Sequence, residues 1–476
     1  MKLSQWKTLA DYEVKQIHEA SLDILENAGL LFESPEVRRI LVDGGAICEG
    51  ETVRFPRALV EDCISKNRRT VNICDRDGKP LFAIGDGQVR FAGGHNAVFV
   101  ADSDNGSRRT SVLKDVGNFA GICEALDDID IIGVPLNPCD APPKTMLVHA
   151  VAEILKNSKK PIFFSTESRE VNKAIMELAG KTSGIKDFKE RSNMISQLSS
   201  TSPLYWEAGA SESVVECAMV GMPLAFLPQP ISGMTAPYTL AGNITVHNVE
   251  VLSGVILSHI VNPGTPMIYA AAWTSYDMRF SNVVIGRPEE ALMRIAGAQM
   301  AHFYNMPSHS IGPDSDSNLY DEQMGWEKMM SLLAALSGGN DLIVNSGMFG
   351  TGMTATNEQL ILDNEMNRMA KRMHAGINVE SDTIAAALIK DIGARGTFLD
   401  CDHTLMNLRS GEHIEPLVIK GTNYEGWKNN GAKSSYVIAC EKAMKILQDK
   451  NDSVLPAVKI AELNNILKKW DNMYHE

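Results

Sequence analysis

From about residue 129 onward, short apolar runs alternate with helical stretches, and this alternation constrains the fold more than any other feature of the sequence. The apolar runs are "IDIIGVPLNP", "KPIFFSTES", "MISQLSSTS", "MPLAFLPQPISG", "GTPMIYAAAWTS", "NMPSHSIGPDSD" and "DLIVNSGMFGTG". "GTFLDCDHT", residues 396–404, can supply an eighth run. Repeated β–α units in this number favour an α/β fold of the (β/α)8, TIM-barrel type over a doubly wound sheet.

The regions on either side of this alternation predict additions to the barrel. Residues 11–30 have helical apolar spacing that ends at Gly29, and residues 71–101 contain short β-rich runs separated by glycine turns. Helical spacing returns near the end, at residues 431–449 and 456–472. We therefore expect three parts: N-terminal helices and antiparallel strands packed on the barrel (1–128), the (β/α)8 barrel (129–404) and a C-terminal helical cap (405–476).

The bulk composition disfavours several classes of function. The chain has 476 residues, is 44% hydrophobic, and carries a formal net charge of −14. An acidic surface argues against nucleic-acid binding and is compatible with a cationic ligand, although solubility alone also accounts for the charge. No uninterrupted apolar run reaches the ~20 residues that span a bilayer, and the first residues lack a signal-peptide core. We therefore expect a cytoplasmic protein with no membrane association.

Three carboxylates lie where the sixth apolar run opens onto polar residues. The stretch "HSIGPDSDSNLYDEQMGWEK" contains Asp314, Asp316 and Asp321. In a β/α barrel, the carboxyl-terminal ends of the strands carry the active site. Carboxylates there could bind a metal, perform acid–base chemistry, hold a cation or cap the next helix. Asp321 is favoured as a helix cap, whereas Asp314 and Asp316 are candidates for binding a substrate cation.

The scattered histidines and cysteines do not predict a metal site. The eight cysteines form no C-x-x-C pair, and no H-E-x-x-H motif is present. The glycine-rich segments do not follow the nucleotide-binding patterns, and no G-x-S-x-G hydrolase motif is found. We therefore expect neither a metal nor an organic cofactor to be tightly bound to this chain.

Aromatic and polar residues also follow the predicted strands. Aromatic faces attract quaternary ammonium groups, at roughly 0.5–2 kcal/mol per ring, and core packing is the alternative role. Four rings are candidates for a box around such a group: Trp273, Tyr276, Tyr205 and Phe349. Three polar residues on other loops are candidates for donating hydrogen bonds to a substrate carboxylate: His95, Asn96 and His309.

Three stretches of the chain resemble the trimethylamine methyltransferase family. Residues 99–133 contain a D-x-x-x-G-x-R-R turn followed by a helical stretch, and residues 398–416 are similar to the family's F-L-x-x-x-H-T segment. Residues 315–343 resemble the pattern T-D-S-K-x-x-D-x-Q-x-G-x-E, with Ser315 in place of Thr and Asn318 in place of Lys. A further departure lies ahead of a G-[LM]-T motif, where Gly350 and Thr351 replace the Glu and Ser of many relatives.

The resemblance implies a specific reaction. Members of the family resemble (β/α)8 barrels that move a methyl group from a methylamine to the Co(I) corrinoid (a cobalamin) of a small partner protein. The trimethylamine enzymes carry pyrrolysine, whereas this chain contains only the standard residues and so resembles the branch without it. Known members of that branch demethylate quaternary amines such as glycine betaine, proline betaine or carnitine.

The same resemblance implies no catalytic residue beyond those that position the substrate. A quaternary ammonium leaves as a neutral amine and needs no proton donor. Two alternatives stay open: a metal-assisted lyase or aldolase on the same barrel, and a non-catalytic betaine-binding subunit. The barrel and the acidic charge are compatible with a homodimer or a larger assembly.

Overall fold

The computed structural model describes residues 5–102, 107–418, 421–449 and 455–473. In the eight-stranded parallel sheet, the second to eighth strands pair in chain order, and the first strand pairs with the eighth. A parallel bridge between Ala92 and Ile131 joins the first strand to the segment leading into the second, so the barrel is nearly closed. The predicted (β/α)8 barrel is therefore confirmed. Its strands are β1 (Arg90–Gly93), β2 (Ile132–Gly133), β3 (Ile162–Ser165), β4 (Met194–Leu198), β5 (Leu224–Phe226), β6 (Met267–Ala271), β7 (Ser308–Ile311) and β8 (Leu342–Ser346).

A long helix follows each barrel strand and packs on the outside of the sheet. Several begin at the capping residues that the sequence supplies. The side chain of Asp321 accepts a hydrogen bond from the Met324 N–H (3.0 Å), which confirms its predicted capping role. The helices are α1 (Leu113–Ala125), α2 (Met146–Asn157), α3 (Arg169–Ser183), α4 (Ala208–Met219), α5 (Leu240–Val261), α6 (Pro288–Phe303), α7 (Glu322–Ser337) and α8 (Asn357–Ala375).

One barrel strand does not come from the expected segment. The strand that was expected from residues 396–404 is instead β1, which lies within the region predicted as an N-terminal addition. It pairs with β8 through Arg90↔Leu342 and Phe91↔Ile343. Residues 396–404 are instead mostly exposed and lead into the short helix Asp402–Asn407. The run around β1 is only four residues long and is followed by Gly94, so its local signal is weak and long-range pairing decides its place.

The remaining described elements lie before β1, in the loops after the barrel strands, and after α8. The N-terminal helices are Asp11–Asn27, Pro35–Asp43 and Arg57–Ser65, with strands Leu30–Phe32, Ile47–Glu49, Thr52–Arg54, Val71–Cys74 and Pro80–Ile84. Short strands in the loops after the barrel strands are Phe99–Ala101, Arg108–Thr110, Tyr205–Trp206, Ile231–Ser232, Thr274–Asp277, Asn282–Val284, Met348–Phe349 and Thr354–Ala355. The later helices are Ser381–Ile384, Ala386–Ile392, Asp402–Asn407, Tyr424–Asn429, Ser435–Asp449 and Ala457–Met473.

Helix α5 is the most apolar long helix among the described residues. By length and composition alone, this 22-residue helix is apolar enough to cross a membrane, although no uninterrupted apolar run had indicated one. In the structure 78% of its most apolar window is buried, and it packs against Asp11–Asn27 and Arg57–Ser65. It also carries buried polar residues that are hydrogen-bonded inside the protein, including Asn248 to Tyr304 Oη (2.8 Å). Its hydrophobicity is therefore that of a helix buried on several sides.

The interior of the barrel is filled by side chains, so any site must lie at one of its ends. Alternate residues of the strands point inward, among them Phe163, Ile195, Ala225 and Ile268, and all four are fully buried. His309 points into the same interior, and its ring centroid lies 5.3 Å from that of Phe163. These side chains form the floor beneath the cavity described next.

Candidate active site

A cavity of about 1090 Å³ opens at the carboxyl-terminal ends of the barrel strands, and we refer to this opening as the mouth. Its walls come from the segments that follow β1 and β3 to β8. Many lining side chains are uncharged and polar, and the charged ones are Arg108, Glu167, Glu207 and Asp316. Three carboxylates and one guanidinium give this lining a net negative charge, which attracts cations.

Asp316 lines the mouth with a carboxylate that the surrounding chain orients closely. The backbone N–H groups of Ile285 and Gly286 donate to it (3.0 Å each), and so does the Thr351 hydroxyl (3.0 Å). Its own N–H donates to Glu327 Oε2 (2.8 Å). Among the residues that the structure describes, no Lys, Arg or His forms an ion pair with it. The carboxylate is therefore held in place by neutral donors.

Asp314, two residues earlier, has a different environment. It is 2% exposed and pairs with the fully buried guanidinium of Arg294, with Nη2 and Oδ2 2.8 Å apart. Its other oxygen accepts a hydrogen bond from Asn345 Nδ2 (2.9 Å). Asp314 is not part of the cavity wall, although Asn345 is. The structure thus separates the two candidate carboxylates, and only Asp316 is placed to meet a ligand in the mouth.

The guanidinium of Arg108 reaches the same wall as Asp316. It donates to the side-chain oxygen of Asn318. Gly350, with a φ of 60°, lies directly beside this pair: a Cβ there would come within 2.9 Å of both Arg108 Nη2 and Asn318 Oδ1. Because Thr351 holds Asp316, one turn brings a guanidinium and a carboxylate to the same region of the mouth. Asn318, Gly350 and Thr351 are also the positions that depart from the family pattern.

A buried lysine ties two of the mouth loops together. Lys328 Nζ donates to the carbonyl oxygens of Pro313 (3.1 Å) and Met348 (2.6 Å) and pairs with Asp363 Oδ2 at 2.9 Å. Both side chains of the pair are fully buried. Asp363 also accepts a hydrogen bond from the Gly347 N–H (2.7 Å). Burial raises the pKa of Asp363, and the ammonium of Lys328 opposes that rise.

The opposite side of the mouth is built around Glu250. This α5 residue is 1% exposed and accepts hydrogen bonds from the Leu204 N–H (2.8 Å) and the Ser202 hydroxyl (2.7 Å). Ser202 itself lines the cavity. Burial raises the pKa of Glu250 to about 7, while the two hydrogen bonds oppose the rise. The loop after β4 is therefore anchored by a carboxyl group that titrates near neutral pH.

The two candidate histidines occupy different depths. His95 lines the cavity, and its Nε2 lies 3.2 Å from Gln197 Nε2. His309 is 1% exposed within the barrel interior and does not line the cavity. Burial lowers the pKa of His95 to about 4 and that of His309 to about 3, so both rings are neutral at pH 7. Asn96, the third candidate, does line the cavity.

Two of the four candidate aromatic residues are core residues. Trp273 is fully buried and packs against His247, with ring centroids 4.4 Å apart. Phe349 is 2% exposed and packs against Tyr320 at 5.4 Å. Ala272 lines the cavity, whereas Trp273 lies against helix α6, where a Cβ on Gly297 would come within 3.2 Å of its indole ring.

The other two rings lie outside the cavity wall. Tyr276 pairs in register with Val283, which does line the cavity, and Tyr205 pairs with Leu31 of an N-terminal strand. Of the described side chains that line the cavity, none is Phe, Tyr or Trp. The four rings therefore do not form a box around a ligand in this structure.

Several lining residues were not expected from the sequence. Arg108, Glu167, Glu207 and Gln197 come from four different segments, and no local pattern links them. Arg108 alone carried a signal, because it belongs to the D-x-x-x-G-x-R-R stretch. Among the described residues, no group of three or more His, Cys, Asp or Glu side chains is arranged to hold a metal ion.

Comparisons with known proteins agree over nearly the whole chain. The family described as trimethylamine methyltransferase (MTTB) matches residues 1–473. A trimethylamine methyltransferase of Desulfitobacterium hafniense is 33% identical over 469 residues, covering 98% of this chain and 94% of that protein. A glycine betaine methyltransferase of the same species is 32% identical over 428 residues, covering 89% of each.

Structural similarity is weaker. The crystal structure of the Methanosarcina barkeri monomethylamine methyltransferase aligns over 94% of this chain and 96% of that one, with 13% identity and a TM-score of 0.49. That level supports no inference by itself. The family match and the two full-length relatives identify an enzyme that transfers methyl groups, as the three sequence stretches had indicated. The chain belongs to the trimethylamine methyltransferase family.

Proposed function

We propose that this protein transfers a methyl group from a zwitterionic quaternary amine, of the glycine betaine type, to the Co(I) corrinoid of a separate small protein in the cytoplasm. The observation that carries the proposal is Asp316, a carboxylate in the mouth that is oriented by neutral donors. A quaternary ammonium has no N–H group, so it binds through charge rather than through hydrogen bonds. A fixed carboxylate in a negatively charged cavity meets that need.

Arg108 supports a substrate that also carries a carboxylate. A guanidinium binds carboxylates in a planar, two-pronged geometry. Asn318 holds the guanidinium beside Gly350, next to the turn that holds Asp316. A betaine can place its ammonium group near Asp316 and its carboxylate near Arg108. Asn96 and His95, which line the same cavity, are further hydrogen-bonding groups for that carboxylate.

The reaction requires little of the protein beyond positioning the substrate. Methyl transfer breaks an N–CH3 bond, the electron pair stays on nitrogen, and a neutral tertiary amine leaves without a proton. The corrinoid of the partner supplies the nucleophile that accepts the methyl group. Holding the ammonium in one orientation converts binding energy into rate, because the reacting carbon is presented along one line of attack. The chain's own residues bind and orient the substrate.

The size of the cavity is consistent with this division of labour. Pockets for small ligands typically occupy about 300–1,000 Å³. At about 1090 Å³, the mouth exceeds what a small amine fills and leaves room for the acceptor to approach. The cobalt is expected to arrive with the corrinoid of the partner protein.

A spectroscopic assay tests the proposal. The protein is mixed anaerobically with a reduced corrinoid protein and, in turn, with glycine betaine, proline betaine, carnitine, choline or trimethylamine. Conversion of Co(I) to methyl-Co(III) with a betaine, and much slower conversion with choline or trimethylamine, is the expected result. Binding of a betaine without any conversion would indicate a non-catalytic subunit. Absence of conversion, together with a stoichiometric divalent metal found by elemental analysis of the purified protein, would indicate a lyase or aldolase.

Arg108→Gln separates the two ends of the substrate. The variant should raise the KM for a betaine by about tenfold or more, because a charge-assisted bidentate contact is lost. It should leave the KM for choline, which lacks the carboxylate, nearly unchanged. Arg109→Gln is the matched control, since Arg109 pairs with Asp115 and does not line the cavity. Equal loss for both substrates would remove Arg108 from substrate recognition.

A further inference from the structure

Two adjoining cavities lie away from the mouth, where α8 packs against α1 and the helix Ser435–Asp449. Their volumes are about 250 and 470 Å³, and we call them the inner and the outer cavity. Both walls include Asp128 and Arg368, which form the junction between them, and neither wall shares a residue with the mouth. Asp128 precedes β2, so the junction lies toward the end of the barrel opposite the mouth. Together the two volumes fall within the roughly 300–1,000 Å³ typical of small-ligand pockets.

The walls of the two cavities are positively charged, although the chain as a whole carries a formal net charge of −14. Six cationic side chains and three carboxylates line them. The six cations are Arg368, Lys371, Arg372, Arg409, Lys442 and Lys445. Arg409, Lys442 and Lys445 form no ion pair with a carboxylate among the residues that the structure describes. Such a local excess of positive charge attracts an anion that carries more than one negative charge.

The inner cavity also has an apolar wall that is fixed in place. Its apolar lining residues are Ala125, Leu126, Ile361, Leu417 and Ile446. The side chain of Glu365 on α8 accepts hydrogen bonds from the N–H groups of Leu417 (2.7 Å) and Val418 (3.1 Å). Because these bonds tie the chain segment at Leu417 to α8, the inner cavity is a formed pocket with room for an apolar group.

One polar side chain in the inner cavity lacks the partners that its burial calls for. Asn364 on α8 is 1% exposed and lines this cavity, and neither its Nδ2 nor its Oδ1 has a hydrogen-bond partner. A buried amide without partners costs about 1–3 kcal/mol. An aliphatic ligand would leave that cost in place, whereas a flat heterocycle with a donor and an acceptor on one edge removes it. Asn pairs in this way with adenine.

We propose that the two cavities form a nucleotide-binding site, with the base in the inner cavity beside Asn364 and the phosphates at the junction and in the outer cavity. Arg368 and Lys371 share the single carboxylate of Asp128, at 3.5 and 2.8 Å, so positive charge is in excess beside the junction. Arg409 adds an unpaired guanidinium in the outer cavity, and a guanidinium binds phosphate through two parallel hydrogen bonds. This site is separate from the mouth and does not depend on which methyl donor binds there.

Isothermal titration calorimetry of the full chain tests the site with four probes: ATP, AMP, adenosine and pyrophosphate. ATP should bind with a dissociation constant in the micromolar range, and adenosine and pyrophosphate should each bind at least about tenfold more weakly, because each fills only one of the two cavities. The affinity for ATP should fall as salt is added, since the phosphates are held by charge.

Two variants separate the base from the phosphates. Asn364→Leu should weaken ATP by about tenfold or more and leave pyrophosphate unchanged. The free energy of unfolding should not fall in this variant, because the amide that it removes has no partner in the protein. Arg409→Gln with Lys445→Gln should weaken ATP to a similar degree and leave adenosine unchanged. Lys114→Gln with Lys186→Gln is the matched control, since both lysines are exposed and line neither cavity.

Three results would overturn the proposal. The first is no binding of ATP at millimolar concentration. The second is binding of ATP that is lost in Arg108→Gln, because this would place the nucleotide in the mouth. The third is equal affinity for ATP and pyrophosphate that Asn364→Leu does not change, which would show an anion site without a base pocket. None of these measurements uses the corrinoid protein, so their failure leaves the proposed methyl transfer untouched.

Discussion

The loops on the two sides of the barrel mouth are held in place by different interactions. On the β7–β8 side, the ion pairs Arg294–Asp314 and Lys328–Asp363 are almost completely buried. On the β4–β5 side, the loop is held by hydrogen bonds to one buried carboxyl group, Glu250. Buried ion pairs add specificity of position more than net stability, because desolvation offsets their attraction. The β7–β8 side therefore holds Asp316 in a fixed position, whereas the stability that the β4–β5 side contributes changes with pH.

Breaking the Lys328–Asp363 pair should have the largest effect. Lys328→Met leaves the Asp363 carboxylate and two carbonyl oxygens buried without their partner. The free energy of unfolding, measured by urea titration, should fall by about 3–5 kcal/mol. Lys371→Met is the control, because its pair with Asp128 is partly exposed and should contribute less than about 1 kcal/mol. Equal losses in both variants would refute the contrast between buried and surface pairs.

Asp314→Asn should cost somewhat less, about 2–4 kcal/mol. The amide keeps the shape of the side chain, but the guanidinium of Arg294 loses its countercharge in a fully buried site. The expected signature is a loss of thermal stability, while the KM of the remaining folded enzyme changes little. A normal melting temperature with a raised KM would instead assign Asp314 to the substrate.

The contribution of the β4–β5 side to the free energy of unfolding should depend on pH. The pKa of Glu250 is raised to about 7 in the folded protein from 4.5, so the folded state retains the proton longer than the unfolded chain. Its contribution is most favourable below pH 4.5 and is lost as the pH rises through about 7. Between about pH 5.5 and 8 the loss should be about 2 kcal/mol.

Glu250→Gln isolates that contribution. The amide cannot ionise in this range, so the free energy of unfolding should depend less on pH in the variant than in the wild type. The difference between the two proteins should vanish progressively toward low pH and be greatest above pH 7. Parallel curves for wild type and variant would show that Glu250 does not titrate in this window.

Asp316→Asn should have the smallest effect on the fold and a clear effect on function. Its side chain is partly exposed, and the amide keeps one oxygen that accepts from the same donors, so the free energy of unfolding should fall by only about 1–2 kcal/mol. The KM for the amine should rise by about tenfold or more, since the charge facing the ammonium is removed. The paired measurements on Asp314 and Asp316 provide the sharpest test of the assignment. Normal kinetics for Asp316→Asn would falsify it.

Residues of the candidate site could be predicted where neighbouring residues in the sequence determine their position, but not where contacts between distant segments do. The position of Asp316 at the cavity wall could be predicted because it follows the apolar run that became β7, so local order was sufficient. Trp273 and Phe349 were misplaced in the proposed box because a residue at a strand end can point to either side. Arg108 and Gln197 lie far apart in the chain and line the same cavity only because the barrel closes. Their convergence has no counterpart in any short stretch of sequence.

The sequence by itself determined the repeated strand–helix pattern, the capping role of Asp321 and the family, because these depend on local periodicity and on motifs read in order. Tertiary structure alone decided that β1 completes the barrel, since a four-residue strand is stabilised by its neighbours rather than by its own composition. It also decided which of two carboxylates separated by one residue became buried. Asp314 meets Arg294 inside the protein and Asp316 faces the mouth, because strand pairing and helix packing set the direction of each side chain.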